Sequence, residues 1–432
     1  MHIEYEYPSI TFTFPYDEDI DLSPAKVERH EARWREIKEK YKSVRVYLLY
    51  GLHALAEFLY RYFAMCEEPQ EDGVLHVVLP TLNPSYRGLR ANVFAERYVS
   101  SCGEEDIDFW SYVLLRHRDE VNEPGDLVKF TTRSTSPAYF KKAYSIEHHF
   151  TDEQVERGEE ALKAMGVTGP FVCLAARTDK YKLAQHRGTS HDEGKLKGSE
   201  RESSIRNMDF RDYGKAIAWL GEQGIQCVKM GRFEEPIAPI PNCIDYTAFY
   251  ADDFMDLYTF SRCEFAISTL HGITALANLF AKPLLVVDVA VFSIGSGASR
   301  YTEHDRFLTK RFYARDGERH RMKRPLSLRK MFDIAKDPEF RSSLAFESVY
   351  RKRGIELSDN TEDEILDAVK EMVARLDGTW ADTDEDQELI EGWWGLYDEM
   401  EAFQAANGGW SGGPLPFPPA TTFLRKHPYL VE

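Results

Sequence analysis

The sequence is poor in cysteine, and its cysteines show no paired spacing. Six cysteines occur in 432 residues, with neither a Cys-x-x-Cys pair nor a Cys/His zinc pattern. Cys173, Cys227 and Cys263 lie within or beside apolar runs, which is typical of buried free thiols. This usage favours a protein of the reduced cytosol.

Signatures of several common enzyme classes are also missing. No Gly-x-Gly-x-x-Gly follows the first strand of the regular α/β region, and no Gly-x-x-x-x-Gly-Lys-Ser/Thr occurs. These absences argue against a dinucleotide site and a P-loop ATPase. No Gly-x-Ser-x-Gly elbow is present, which lowers the case for a serine hydrolase.

Basic charge and long apolar runs are scarce as well. The chain has 54 basic and 72 acidic residues, for a net charge of −18. Nucleic-acid binders usually carry a basic face, so we expect no nucleic-acid partner. No apolar run approaches the roughly 20 residues of a membrane span, and the N-terminus lacks the basic and apolar regions of a signal peptide.

From residue 171 onward the sequence alternates regularly between short apolar runs and amphipathic segments. The pattern predicts helices over 211–223, 252–262 and 273–281, and strands over 171–176, 225–230, 243–246, 264–268 and 284–290. Strands that alternate with helices of this length imply crossovers and a parallel sheet. The predicted fold class is therefore α/β, with a doubly wound domain in this region.

The flanking segments are less regular. Residues 1–23 predict an edge hairpin or an extended arm, and Ser23-Pro24 opens a helix. The aromatics of 44–65 recur at helical spacing, which predicts packing in a core or interface, and 74–82 predicts a buried strand. Thr151 to Gln154 form a capping box for a helix. Further helices are predicted near 327–334, 364–376 and 386–405, and the tail at 408–420 is too rich in Gly and Pro for regular structure.

Polar and small residues follow each strand of the predicted sheet. In open parallel sheets, ligands bind at the carboxyl ends of the strands. These positions are the first candidates for a site: Arg177, Thr178, Asp179 and Lys180 after the first strand, Gly231 and Arg232 after the second, Asp252 and Asp253 after the third, and Thr269, His271 and Gly272 after the fourth.

Arg177 allows two interpretations. An arginine at the end of a buried strand either forms a structural ion pair or binds an anion, since a guanidinium bonds two phosphate oxygens at once. The turn Ser268–Thr274 favours the second, because it ends a strand and opens a helix whose free N–H groups suit a phosphate. Every strand-to-helix turn shares this feature, so both interpretations stay open.

The long polar loop after the first strand contains possible metal ligands. His191-Asp192-Glu193 could hold a metal, but no further ligand follows at a fixed spacing. A long loop in a compact domain is usually functional or disordered. We expect a solvated loop there and no metal.

Four blocks in the right order give the chain a family resemblance. AARTDKY, SIRNMDFRDYGKAIAWLGEQG, VKMG and the 252–283 segment with STLHGIT resemble an uncharacterised bacterial glycosyltransferase family found with surface-polysaccharide genes. The likeness spans about residues 70–400. The Arg-Thr-Asp strand end is also distantly similar to the arginine motif of fucosyltransferases with the GT-B fold, in which two Rossmann-like domains face each other across a cleft.

The resemblance implies a division into four segments. Residues 1–65 would form an N-terminal arm and helices, and 66–165 a Rossmann-like acceptor domain. Residues 166–345 would form the Rossmann-like domain that binds the nucleotide sugar, and 346–432 C-terminal helices that cross back, with a Gly/Pro-rich tail.

The resemblance also assigns roles to residues. Arg177 would contact the donor's β-phosphate, and Asp179 is the first choice for the general base, ahead of Asp192, Glu193 and His271. The donor would be bound by Arg177, Arg206, Asn207, Asp209, Gly231, Asp252, Asp253, Ser268, Thr269, His271 and Gly272. Ala175, Leu270 and His271 depart from the family pattern, which has a histidine two residues before the arginine and small serines in the turn.

The implied activity is transfer of a hexose or deoxyhexose from a GDP- or UDP-linked sugar to a glycan or lipid-linked acceptor. We expect no cofactor or metal, a cytoplasmic protein that can lie at the inner face of the membrane, and a homodimer as one assembly to test. Two alternatives stay open: a nucleotide-sugar epimerase or hydrolase of the same fold, and a non-catalytic nucleotide-sugar-binding protein.

Overall fold

The structure is a computed structural model of the whole chain, and it describes most of the residues. The described residues are 5–7, 10–12, 22–49, 59, 62, 72–80, 92, 95, 98, 104–121, 150–178, 205–231, 237–249, 251–290, 302–315, 323–337, 347–407 and 415–432.

The chain divides into two compact units. The N-terminal unit comprises Met1–Thr131 and Tyr144–His149, and the C-terminal unit comprises Thr132–Ala143 and Phe150–Glu432. The four-segment division stays a prediction.

In its described part, the N-terminal unit mixes short strands with two long helices. Its described elements are β1 (Tyr5–Tyr7), β2 (Ile10–Phe12), α1 (Pro24–Lys40), β3 (Ser43–Leu49), β4 (Val74–Pro80), α2 (Glu104–Arg116) and a 3-10 turn (Arg118–Glu120). β1 and β2 pair as an antiparallel hairpin, which confirms one of the two forms predicted for the arm. A buried core that includes Trp34, Val44, Val77, Phe109 and Trp110 joins α1 and α2 to β3 and β4.

The helical spacing inferred for 44–65 is wrong at its start. Residues Ser43–Leu49 form β3, which pairs in parallel with β4 from Ser43 and Val74 onward. The sequence VRVYLL also alternates with period two, and Val44 and Val46 point into the core. The partner strand therefore selected the strand conformation. Most of 50–65 lies outside the described residues.

The C-terminal unit is built from alternating strands and helices. Its described strands are β5 (Phe171–Ala175), β6 (Gln226–Lys229), β7 (Cys243–Asp245), β8 (Ala266–Ser268), β9 (Leu284–Val289), β10 (Arg306–Thr309), β11 (Arg311–Arg315), β12 (Lys323–Leu326) and β13 (Ile355–Ser358). Its described helices are α3 (Asp152–Ala164), α4 (Gly214–Glu222), α5 (Tyr246–Phe249), α6 (Asp253–Arg262), α7 (Thr274–Leu279), α8 (Leu328–Ala335), α9 (Glu347–Lys352), α10 (Glu362–Leu376), α11 (Asp384–Ala406) and α12 (Thr421–Lys426), with 3-10 turns at Phe210–Tyr213 and Pro428–Leu430.

Over the ranges that the structure describes, the central sheet of this unit has six parallel strands in the order β10-β9-β8-β5-β6-β7. In chain order, β5, β6 and β7 follow one another outward on one side of the sheet, and β8, β9 and β10 follow one another outward on the other side. All of β5 is buried, as expected for a strand covered on both faces. The α/β fold class and its parallel sheet are confirmed, and β11, β12 and β13 form a separate antiparallel sheet.

The sequence explains where two of the helices begin. Thr151 Oγ1 accepts the backbone N–H of Gln154, and the Gln154 side chain accepts that of Thr151, so the predicted capping box is confirmed. Thr361 and Glu364 form the same pair at the start of α10.

The described residues 415–420 of the C-terminal tail form no helix or strand, as predicted, but they pack against the sheet. Pro419 forms a parallel bridge with Phe307 of β10, and the Ala420 N–H donates to the Phe307 carbonyl at 2.9 Å. Leu415 and Phe417 are buried. The tail covers the edge strand β10 of the sheet, and burial of its apolar side chains fixes the position of a segment without regular structure. Among the described residues, no helix is long and apolar enough to cross a membrane.

Candidate anion-binding site at the carboxyl edge of the parallel sheet

The strand order places a crevice between β5 and β8. After β5 the chain winds to one side of the sheet, and from β8 it winds to the other, so the loops after these two strands leave in opposite directions. In open α/β sheets, ligands bind beyond the carboxyl ends of the strands at such a switch point.

The two loops that flank this crevice are hydrogen-bonded to each other. The backbone N–H of Arg177 donates to Thr269 Oγ1 at 2.9 Å. The backbone N–H of Thr269 donates to the Ala175 carbonyl at 3.2 Å. The strand ends that the sequence predicted to meet are therefore held together by Thr269.

The Arg177 side chain is fixed by the segment that carries Arg206 and Asn207. Arg177 is 7% exposed, and its Nη1 donates to the Asn207 side-chain oxygen. The Met208 N–H donates to the Arg177 carbonyl at 3.2 Å, and buried Ile205 and Met208 anchor the segment. One partner of the guanidinium is thus a neutral amide, which orients the side chain and leaves its positive charge in place.

The positive charges of Arg177 and Arg206 act on the side chain of His271. Its Nε2 atom is buried and has no hydrogen-bond partner among the described residues. Burial, followed by the charges of Arg177 and Arg206, lowers the pKa of His271 to about 3. The imidazole is therefore neutral at physiological pH. Such a low pKa argues against the general-base role considered for His271 from the sequence.

The hydroxyl groups of the 268–274 turn bond within the turn. Ser268 Oγ donates to the Thr269 carbonyl at 2.8 Å, and Thr274 Oγ1 donates to the same carbonyl at 3.1 Å. The Gly272 carbonyl accepts the Ala275 N–H at 3.2 Å as α7 begins. The side chains of Ser268 and Thr274 thus shape the loop that presents His271.

Two carboxylates predicted to bind the donor serve as helix caps. Asp209 accepts the backbone N–H of Arg211 at 2.9 Å and also pairs with its side chain, which lowers the pKa of Asp209. Asp252 accepts the Met255 N–H at 2.7 Å and caps α6, and Asp253 follows in the first turn. Their capping bonds order the loops around the sheet edge.

Gly231 follows β6 with a φ of +143°, a conformation that favours glycine. The preceding Met230 N–H donates to the Leu174 carbonyl at 2.7 Å, so Gly231 lies beside the end of β5. Asp179, Asp192, Glu193 and Arg232 lie outside the described residues.

The structure adds polar residues that the sequence reading missed. Lys229 at the end of β6 is 4% exposed, and its Nζ lies 3.3 Å from Asp245 Oδ1 and 3.0 Å from Thr247 Oγ1. The Tyr213 hydroxyl donates to the Ala175 carbonyl at 3.0 Å. A lysine inside an apolar strand was the one available signal, since buried lysines are rare without a partner.

Metal ligands are not grouped in the part of the chain that the structure describes: no cluster there holds three or more His, Cys, Asp or Glu side chains suited to a metal ion. The positive charges at the crevice come instead from Arg177 and Arg206. The arrangement suits an anion with several acceptor oxygens, such as a diphosphate.

Comparisons with known proteins give limited likeness. No family model and no curated protein sequence matches the chain. A glycosyl transferase family 9 structure from Veillonella parvula DSM 2008 is similar at 8% identity, with 78% of this chain and 98% of that chain covered and a TM-score of 0.38. A co-structure of S. aureus MnaA with UDP is similar at 9% identity, with 57% and 79% covered and a TM-score of 0.20. At these TM-scores neither likeness bears on function.

Proposed function

We propose that the chain is a glycosyltransferase that takes a sugar from a GDP- or UDP-linked donor and passes it to a hydroxyl of a glycan or lipid-linked acceptor. The convergence of Arg177, Arg206 and His271, whose buried Nε2 has no hydrogen-bond partner among the described residues, at the switch point of a parallel sheet carries this proposal. The motif blocks that surround these residues resemble those of a bacterial glycosyltransferase family.

The proposed chemistry follows from the charges at the crevice. Departure of a nucleoside diphosphate develops negative charge on its β-phosphate. The Arg177 guanidinium, which Asn207 orients, and Arg206, which lies between buried Ile205 and Met208 in the chain, neutralise this charge in the proposal. The neutral His271 ring adds a hydrogen-bond donor. In this proposal the leaving group needs no metal ion, and Asp179 remains the proposed base for the acceptor hydroxyl.

The test is release of nucleoside diphosphate from a panel of GDP- and UDP-sugars, with and without acceptor glycans. We expect release that depends on acceptor, persists in EDTA and is lost in Arg177→Ala. Arg329→Ala is the matched control, because Arg329 is an exposed arginine that pairs with Glu399 at 2.6 Å on the helical surface. Release without acceptor would favour a hydrolase or epimerase, and binding without release a non-catalytic protein.

A further inference from the structure

Asp288 is a buried carboxylate at the carboxyl end of β9, in an unusual backbone conformation. It is 3% exposed and has a φ of +54°, a region in which aspartate and asparagine occur more often than most side chains. Ser268 of β8 pairs with Val286, so Asp288 lies two residues beyond that pair, at the edge where the 269–272 loop leaves the sheet. Asp288 therefore belongs to the same edge as the arginine site.

One oxygen of this carboxylate is bonded, and the other is not. Asp288 Oδ1 accepts the Asn360 N–H at 2.7 Å, and the Asp288 N–H donates to Asn360 Oδ1 at 2.7 Å. The Asn360 side-chain NH₂ donates to the Thr309 carbonyl at 2.9 Å. Asp288 Oδ2 is buried and has no hydrogen-bond partner among the described residues. A buried acceptor without a donor lowers the stability of the folded protein, and such costs are typical of atoms that bind a ligand.

The charges around Asp288 define which donor would suit Oδ2. Lys310 Nζ lies 3.6 Å from Asp288 Oδ1 and also pairs with Asp359, so an ammonium group is already present. Burial, with the carboxylates of Asp359 and Asp212, outweighs Lys310 and raises the pKa of Asp288 to about 6. Lys310 already serves as the cation beside Asp288 and Asp359, and no three-ligand metal cluster occurs among the described residues. A neutral hydroxyl is the donor that fits.

Tyr213 connects Asp288 to the arginine side of the site. Its hydroxyl donates to the Ala175 carbonyl at the end of β5, and the charge of Asp288 contributes, after burial, to raising the pKa of Tyr213. Two cationic groups thus follow β5, a neutral imidazole follows β8, and a carboxylate with an open acceptor lies at the end of β9.

We propose that Asp288 Oδ2 accepts a hydrogen bond from a hydroxyl of the sugar in a nucleotide-sugar ligand, whose diphosphate is held by Arg177 and Arg206. This inference rests on the proposed function and extends it, because it assigns the sugar subsite to the end of β9. Asn360 and Lys310 position the carboxylate, and Asp288 determines specificity for hydroxyl-bearing groups.

The test compares the affinities of nucleoside diphosphates and of their sugar conjugates by isothermal titration, with GDP, GDP-mannose, UDP and UDP-glucose as probes. The wild type should bind at least one sugar conjugate more tightly than the bare diphosphate. In Asp288→Asn that gain should shrink about tenfold, while the affinity for the bare diphosphate stays unchanged. Asp359→Asn is the control, because Asp359 pairs with the same Lys310 but is 61% exposed, and it should leave both affinities unchanged.

A second readout separates a ligand subsite from a structural strut. Asparagine keeps the acceptor for Asn360, tolerates the same backbone conformation and removes the buried charge, so Asp288→Asn should unfold at a higher urea concentration than the wild type at pH 8. A lower midpoint at pH 8 would overturn the proposal. An unchanged sugar gain in Asp288→Asn would overturn the subsite alone, whereas a wild type that binds none of the four probes would overturn the proposed function and the subsite with it.

Discussion

The neutral imidazole of His271 predicts a specific loss of stability in acid. The pKa of His271 is about 3 in the folded protein and 6.5 in its ordinary state. Because the folded pKa is the lower one, His271 becomes protonated below pH 6.5 in the unfolded chain but stays neutral in the folded protein. The free energy of unfolding therefore falls as the pH falls. At pH 5 the gap of about 1.5 pH units from the unfolded pKa corresponds to about 2 kcal/mol, at 1.36 kcal/mol per unit.

The measurement is urea unfolding of the wild type and His271→Asn at pH 7 and pH 5. Asparagine keeps a polar side chain but does not titrate, so the variant should gain about 2 kcal/mol on the wild type between the two pH values. Asp305, whose pKa burial raises to about 7, shifts stability in the opposite direction. It is present in both proteins and cancels in the comparison. Parallel loss of stability in both proteins would refute the assignment.

The same residue reports whether Arg177 lies close to it. If the guanidinium charge contributes to the low pKa of His271, then Arg177→Gln should raise that pKa in an NMR titration. Arg329→Ala should leave the titration unchanged, because Arg329 pairs with Glu399 elsewhere on the surface. An unchanged His271 titration in Arg177→Gln would contradict the convergence of these two side chains.

Two further predictions concern the frame of the C-terminal unit. Gly158→Ala should lower the melting temperature, because a Cβ there would lie 2.3 Å from Tyr258 Cε1 and overpacking costs about 1–3 kcal/mol. Gly395→Ala is the control: a Cβ there meets no atom within 4 Å, and the change should raise the free energy of unfolding by about 1 kcal/mol. A gain in both variants would contradict the packing of α3 on α6. Asp386→Ala should cost about 2 kcal/mol in urea unfolding, because it removes two bonds of 2.7 and 2.6 Å to Arg425 that hold α12, and a cost near zero would contradict that anchor.

The sequence predicted the strands of the sheet that are short and largely apolar. β5, β6, β8 and β9 lie within two residues of their predicted bounds, because burial on both faces leaves a signal that needs no knowledge of the partner strand. β10 gave no such signal, since its four residues begin with a buried arginine. The helical spacing predicted for 44–49 is wrong because those residues fit both a helical and a strand period, and pairing with β4 selects the strand.

The candidate site also contains some residues that the sequence could predict and others that it could not. Arg177 and Thr269 could be brought together from sequence, because carboxyl ends of neighbouring parallel strands must meet at one edge. Asp288 could not be found, since its open acceptor depends on a backbone turn and on Asn360, which is 72 residues away in the chain. The capping bonds of Asp209 and Asp252 were also hidden, because any carboxylate near a strand end resembles a ligand group.

Titration of the wild-type protein and Arg177→Ala with UDP and GDP tests whether Arg177 binds a diphosphate at the switch point. We expect the wild type to bind one of the two nucleotides and Arg177→Ala to bind it at least tenfold more weakly, with an unchanged circular dichroism spectrum and urea midpoint. Equal affinity in the two proteins, or unfolding of the variant with the ligand still bound, would show that Arg177 is a structural residue and not an anion-binding one.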